Sequence, residues 1–109
     1  MATSREYRDF IMEQLADLVD LSCRPMMGEY LLSYGGKVIG GIYDDRLLVK
    51  PVAAAAALMP EARRELPYEG AKEMLLVEEV ENREFLRELV LAVAAGLPDP
   101  KPRRKKRGA

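Results

Sequence analysis

The chain has 109 residues, of which 49% are hydrophobic, so it can form one compact domain whose core needs neither disulfides nor metal. It has no histidine and one cysteine, which excludes an intramolecular disulfide, a cysteine-based metal cluster and any mechanism with a histidine base. The net charge of −1 hides an asymmetry, because residues 99–109 carry six cations against one carboxylate while the rest of the chain is acidic.

The amino terminus, MATSREYRDF, has charged residues where a signal peptide would have an apolar core. No run of residues approaches the roughly 18 apolar positions of a membrane-spanning helix. We therefore expect a cytoplasmic protein with no membrane partner.

The first predicted element is an amphipathic helix over residues 4–20. Thr3 and Glu6 form a capping-box pattern, with Thr3 as the N-cap. The apolar residues that follow at helical spacing are Tyr7, Phe10, Ile11, Leu15 and Leu18. Residues 22–27 are less periodic, and Pro25 favours an edge strand or a bulge there.

A three-strand meander is predicted next, over residues 30–34, 37–43 and 46–50. Gly35-Gly36 and Asp44-Asp45 separate these apolar runs, and both pairs suit the positive φ angles of a two-residue type I′ turn. The glycines around Lys37 also invite a nucleotide-binding interpretation. Neither phosphate-loop spacing occurs, however, and strand-forming residues follow where a helix would have to begin. The glycines therefore indicate a turn, and Gly40 a place where a helix packs closely on the sheet.

The two-residue turns fix a register that sorts the meander into two faces. One face carries no charge and is expected to lie under helices. A domain of this size has only enough helices for one face, so we expect the other to stay open and to bind a partner through tyrosines with a basic fringe. The candidate partner interface on that open face consists of Tyr30, Leu32, Tyr34, Ile39, Tyr43, Arg46 and Leu48. The alternative is that these tyrosines only shield the sheet beneath residues 60–72.

The second half of the chain predicts a helix that begins at Pro51, an ambiguous stretch over residues 61–66 and a strand over residues 73–79. Asn82 is the expected N-cap of a last helix, and Gly96 is its expected C′ residue. The predicted fold is α+β in two layers, an antiparallel sheet with helices on one face, in the order α-β-β-β-β-α-(β)-β-α. We expect a folded domain over residues 1–97 and a disordered basic tail over residues 98–109.

Three segments resemble the N-terminal domain of the TfoX/Sxy family. The first, residues 24–30 (RPMMGEY), matches the approximate family pattern R-x-M-[FM]-G-x-Y. The second, residues 36–50, has the glycine-lysine turn and the aspartate-leucine-lysine strand, and the third is residues 70–74. The resemblance covers about residues 5–96. It implies a non-enzymatic regulator of natural competence that works with a transcription activator at DNA-uptake genes. Full-length members carry a second, C-terminal domain, whereas we expect only a basic tail in that place in this sequence.

Three further features are read as structural. Cys23 is expected to be a buried or half-buried thiol, because no histidine is available to activate it. Met26 and Met27 are expected to fill the core beside the first hairpin, the alternative being an adaptable binding surface. The carboxylates of Glu78, Glu79, Glu81, Glu84 and Glu88 lack a metal-binding spacing and are expected to be solvated.

The sequence therefore predicts a non-enzymatic regulatory protein without a cofactor, which acts by contacts with a transcription activator or with a second copy of itself. The alternative is a nucleic-acid-associated accessory protein that binds through its tail. The candidate nucleic-acid contacts are Lys101, Arg103, Arg104, Lys105, Lys106 and Arg107.

Overall fold

The computed structural model describes residues 3–98 as three helices and six strands. In chain order the elements are α1 (Arg5–Gln14), β1 (Leu21–Met26), β2 (Glu29–Tyr34), β3 (Lys37–Tyr43), β4 (Arg46–Val49), α2 (Ala53–Leu58), β5 (Arg64–Glu65), β6 (Met74–Val77) and α3 (Arg83–Ala95). The strands form one antiparallel sheet in the order β1-β2-β3-β4-β6-β5. This confirms the predicted α+β class and element order. None of the described helices is long and apolar enough to cross a membrane.

The first helix begins and ends differently from its prediction. Its N-cap is Ser4, whose side chain accepts a hydrogen bond from the backbone N–H of Tyr7. It ends at Gln14, because the chain then continues in tight turns in which Leu18 N–H bonds Leu15 O at 3.0 Å and Leu21 N–H bonds Leu18 O at 3.2 Å. These turns keep the apolar spacing that the helix prediction used, and Leu15 and Leu18 remain buried.

The hairpin turns follow the predicted chemistry and add a third case. Gly35 and Gly36 have φ angles of 58° and 85°, and Asp44 and Asp45 have 54° and 57°, as type I′ turns require. The unpredicted case is the turn between β1 and β2, where Met27 has φ 53° and Gly28 has φ 88°. A methionine therefore occupies a left-handed position that usually belongs to Gly, Asn or Asp.

A β-bulge reverses part of the predicted face assignment. The pairs Tyr34–Lys37 and Ser33–Val38 form, but the register then shifts, so that Leu32 lies opposite Gly40 instead of Ile39. Because side chains alternate along a strand, one inserted residue exchanges the faces beyond it. The bulge therefore puts one predicted group of side chains on the same face as Ile42 and Leu47, where it packs in the core under the helices. This group is Tyr30, Leu32, Tyr34 and Ile39, and its predicted place on an open face is wrong.

The same bulge gives Gly40 a different role from the predicted one. A Cβ atom at this position would lie 2.1 Å from the Leu48 carbonyl oxygen and 2.8 Å from the Val49 Cα atom. The close approach is therefore between β3 and β4, not between a helix and the sheet. Glycine inside a strand is typical of a bulge, and here it lets the neighbouring backbone come close.

The helix layer is completed by α2 and α3. Pro51 lies outside α2, whose N-cap is Val52, so the predicted start at Pro51 is two residues early. Asn82 caps α3 as predicted, since its side chain accepts from Phe85 N–H at 3.1 Å. Gly96 ends this helix with φ −84°, so it is not a left-handed C′ residue. Glycine fits there because a Cβ atom would come within 3.1 Å of the Val52 side chain.

The opposite face of the sheet is also partly covered. We call residues 66–73, which connect β5 to β6, the roof segment, because they lie over this face of the sheet. Arg46 holds it there: its Nη1 donates to Glu65 Oε1 at 2.8 Å and to the Leu66 carbonyl at 3.2 Å. Beneath it a second apolar cluster forms from Tyr43, Leu48 and Met74, with Met26 and Leu76 at its margin. The alternative in which residues 60–72 shield the sheet is therefore correct for this part of the face.

Candidate partner-binding surface

The sheet-face interface predicted from the sequence is not a surface in the folded protein. Leu32, Ile39 and Leu48 have no exposed area, and Tyr43 is 4% exposed. The bulge directs the first two towards the helices, and the roof segment covers the other two. These four side chains are core residues and have no area to offer a partner.

Arg46 is engaged within the chain. Besides its bonds to the roof segment, its Nε donates to the Tyr43 carbonyl at 3.1 Å, and its Nη2 lies 3.5 Å from the Pro67 carbonyl. The ion pair with Glu65 is about a quarter exposed on each side. Arg46 therefore fastens the roof segment to the β3–β4 turn, and its place in the basic fringe of an interface stays a prediction.

Tyr30 and Tyr34 are half-buried on the helix side. The Arg8 guanidinium lies 5.0 Å from the centre of the Tyr30 ring, which is cation–π distance. The same guanidinium neighbours Cys23, whose pKa is raised by burial even though Arg8 acts in the opposite direction. A half-buried thiol with a raised pKa is poor in thiolate, which agrees with the structural role expected for Cys23.

The acidic cluster is exposed, as predicted. Glu78, Glu79, Glu81, Glu84 and Glu88 all have exposed side chains. Within residues 3–98, no group of three or more His, Cys, Asp or Glu side chains is arranged to hold a metal ion. The six candidate nucleic-acid contacts of the basic tail (Lys101, Arg103, Arg104, Lys105, Lys106 and Arg107) lie outside the described residues.

The feature that neither the core nor the turns explain is Met27. Its side chain is 97% exposed, so the prediction that it fills the core is wrong, while its neighbour Met26 does pack against the second apolar cluster. Its backbone is left-handed, a conformation that costs an ordinary residue about 1–2 kcal/mol. Asn or Gly would make the same turn at lower cost and without exposing a thioether chain. Folding alone therefore gives no reason for methionine at this position.

The residues that follow Met27 are hydrogen-bonded to the start of the chain. Thr3 N–H donates to the Gly28 carbonyl at 3.1 Å, and the buried Thr3 hydroxyl donates to Glu29 Oε1 at 2.6 Å. The same carboxylate oxygen accepts from Asp44 N–H at 3.0 Å. We call residues 24–29 the hairpin tip. It is tied to both the N-terminus of α1 and the β3–β4 turn, so Met27 is presented from a fixed position.

The edge of the sheet next to the hairpin tip is poor in donors. In a two-residue hairpin the residues that flank the turn form a hydrogen-bonded pair, so Met26 and every second residue before it bond β2. The outward positions of the described strand β1 are then Leu21, Cys23 and Pro25. Leu21 N–H already bonds Leu18 O, and proline has no N–H. Among these positions only Cys23 keeps an outward donor, so the edge does not favour strand addition. A partner would engage the tip through side chains.

The sequence contains a signal for this turn. Met27-Gly28 separates two runs of strand character by two residues, which is hairpin spacing. Methionine is so unusual at a left-handed position that the pair does not stand out as a turn.

No family model and no solved structure matches the chain. A protein of Spirochaeta aurantia, described as an uncharacterized 12.7 kDa protein in the trpE 5′ region, is 35% identical over 107 residues. The aligned part covers 97% of this chain and 93% of that protein. The chain therefore belongs to the same family as the S. aurantia protein.

Proposed function

We propose that this protein is a non-enzymatic regulator resembling the TfoX/Sxy N-terminal domain. It acts by protein contacts in the expression of genes for DNA uptake, and the hairpin tip around Met27 is its contact surface. The observation that carries the proposal is the 97% exposure of an apolar side chain on a left-handed backbone. Residues held in costly conformations are concentrated at functional sites, where a partner gives the conformation its use.

The place of Met27 in the sequence supports the same proposal. Residues 24–30 carry the first part of the resemblance, and Met27 stands at the Phe-or-Met position of the pattern R-x-M-[FM]-G-x-Y. Both residue types offer a long apolar side chain suited to an apolar pocket of a partner. Arg24 and Pro25 are exposed beside it and would border such a contact.

Affinity capture with matched variants tests the proposal. The bait is the full chain with its wild-type sequence, with Met27→Asn or with Val19→Asn, incubated in native extract and analysed by quantitative mass spectrometry. Val19 is the control, because it is 93% exposed and lies outside the hairpin tip. Burying one such side chain in a partner stabilises a complex by about 1.5–3 kcal/mol, or roughly 10–150-fold in affinity.

The expected result is a transcription activator, or a second copy of this chain, that is captured by the wild type and by Val19→Asn but lost with Met27→Asn. Sedimentation velocity of the same three proteins identifies the self-associating case. Capture of the same proteins by all three baits would refute the contact surface.

The second candidate, a nucleic-acid-associated protein, is favoured by one observation. Six of the 17 Lys and Arg residues lie in the last nine positions, while the remainder of the chain is acidic. A short run of cations binds polyanions with strong salt dependence and little sequence preference.

A further inference from the structure

A cavity of about 490 Å³ opens between the sheet and the roof segment. Its floor is β3, from Val38 to Tyr43, and one wall is the chain that leaves β4 at Lys50. The roof segment closes the opposite side with Tyr68 and Lys72, and Leu97 lies at one end. The volume falls within the range of about 300–1,000 Å³ that is typical of small-molecule sites.

The cavity exists because of how the roof segment is attached. The segment is fastened at its beginning by Arg46, and the Tyr68 ring packs against Tyr43 with centroids 6.1 Å apart. A β-turn follows, in which Gly70 has φ 88° and Ala71 N–H donates to the Tyr68 carbonyl at 3.1 Å. The floor is formed by Gly40 together with Val38 and Tyr43 of β3.

Two cations line the cavity, Lys50 and Lys72. Their ammonium groups make no hydrogen bond or ion pair with any residue in the range 3–98, so they are available to a ligand. Glu73 is the one carboxylate among the lining residues, so the lining is net positive.

The tyrosines give the site a donor as well as apolar area. Burial raises the pKa of Tyr43 above its ordinary value, with smaller contributions in the same direction from Tyr68 and Glu29. The phenol is therefore neutral at physiological pH and keeps its O–H proton. The rest of the wall is apolar, with Val38, Val52 and Met74 among its side chains.

We propose that this cavity binds an apolar monocarboxylate. The apolar body lies between the tyrosine rings and the aliphatic wall, and the carboxylate faces Lys50 and Lys72. Charge-assisted hydrogen bonds from an ammonium to a carboxylate are about twice as strong as neutral ones, which is why an acid is preferred to an alcohol of the same shape. A cation of that shape is disfavoured by the two ammonium groups.

Three probes with one apolar body and different charges test the proposal on the full chain: 2-naphthoate, 2-naphthalenemethanol and 2-naphthylmethylamine. Binding is followed by amide chemical-shift titration, with Gly40, Gly70 and Ala71 as reporters at the cavity. The expected order of affinity is acid, alcohol, amine, with saturable shifts at the reporters. No saturable binding of 2-naphthoate at millimolar concentration would overturn the proposal, as would an amine that binds as tightly as the acid.

Two double variants assign the charge preference. In Lys50→Gln/Lys72→Gln the affinity for 2-naphthoate is expected to fall about tenfold, to the level of the alcohol. The control Arg63→Gln/Arg64→Gln changes the net charge equally at exposed positions outside the cavity and should leave the affinity unchanged. Glu73→Gln should strengthen acid binding. An equal loss in both double variants would indicate a nonspecific charge effect and would refute the site.

Discussion

Replacement of Met27 should stabilise the protein, although most substitutions destabilise. The residue has φ 53°, and a left-handed conformation costs an ordinary side chain about 1–2 kcal/mol. Asparagine tolerates this conformation much better, because its short polar side chain bonds the local backbone. The methionine side chain is 97% exposed, so its removal sacrifices almost no buried area. We expect Met27→Asn to raise the free energy of unfolding by about 0.5–1 kcal/mol.

Urea denaturation followed by circular dichroism at 222 nm measures this change. For a domain of this size, 1 kcal/mol corresponds to about 4–8 °C in Tm, which a thermal melt also detects. Val19→Asn is the control: it removes an equally exposed apolar chain and should stay within about 0.5 kcal/mol of the wild type. An unchanged or lower stability for Met27→Asn, with an unchanged denaturant slope, would refute the argument that methionine is strained at the tip.

Four further outcomes are expected. Lys37→Met removes an ammonium group that donates to two carbonyls at the end of α3 (2.9 and 3.3 Å), and it should lower the free energy of unfolding by about 1–2 kcal/mol. Lys50→Met should lower it little, and equal losses in urea titrations would contradict this. Thr3→Val should lower the free energy of unfolding by about 1–3 kcal/mol, because it removes a buried hydroxyl and leaves that group's hydrogen-bond partners unpaired. Thr3→Ser keeps the hydroxyl and should retain most of the wild-type stability. The pKa of Tyr43 is raised by burial, so the unfolded state loses this proton first and stability falls as pH rises past about 10; in Tyr43→Phe the alkaline fall should be shallower. Deletion of residues 99–109 should abolish any DNA binding in a gel-shift titration, and equal binding by the truncated chain would exclude the tail as the contact.

The sequence predicted those parts of the fold where local chemistry and packing agree. Gly35-Gly36 and Asp44-Asp45 specify their turns, and Asn82 specifies the start of α3, because each residue type suits the geometry that the fold adopts there. The face assignment failed at one residue. Two-residue turns determine the register next to the turn, but they do not report an insertion farther along, and the bulge at Leu32/Ser33 moved Ile39 into the core. Gly40 was the available signal, since glycine within a strand often marks a bulge.

The candidate surface was missed for a related reason. A sequence pattern indicates a turn when its residue types are the ones usually found in that geometry. Met27 has a left-handed backbone, where Gly, Asn or Asp is usual, so the pattern does not indicate it. The sequence pattern favours Tyr30 and Tyr43 instead, because an exposed tyrosine suits recognition. The fold places Tyr30 against Arg8 and Tyr43 beneath the roof segment. Only the folded structure reveals that the Met27 side chain is exposed and that its backbone conformation is costly. This combination distinguishes the hairpin tip from a scattered surface residue.

The most direct test of the account is complementation of a strain that lacks this gene. Wild type, Met27→Asn and Val19→Asn are expressed at equal levels, and the measurement is the transcript level of the DNA-uptake genes, with transformation frequency as a second readout. The account predicts that the gene deletion lowers both, that wild type and Val19→Asn restore them, and that Met27→Asn fails although it is the most stable of the three. Full restoration by Met27→Asn would contradict the role of the hairpin tip, and unchanged transcripts in the deletion strain would contradict the role in DNA uptake.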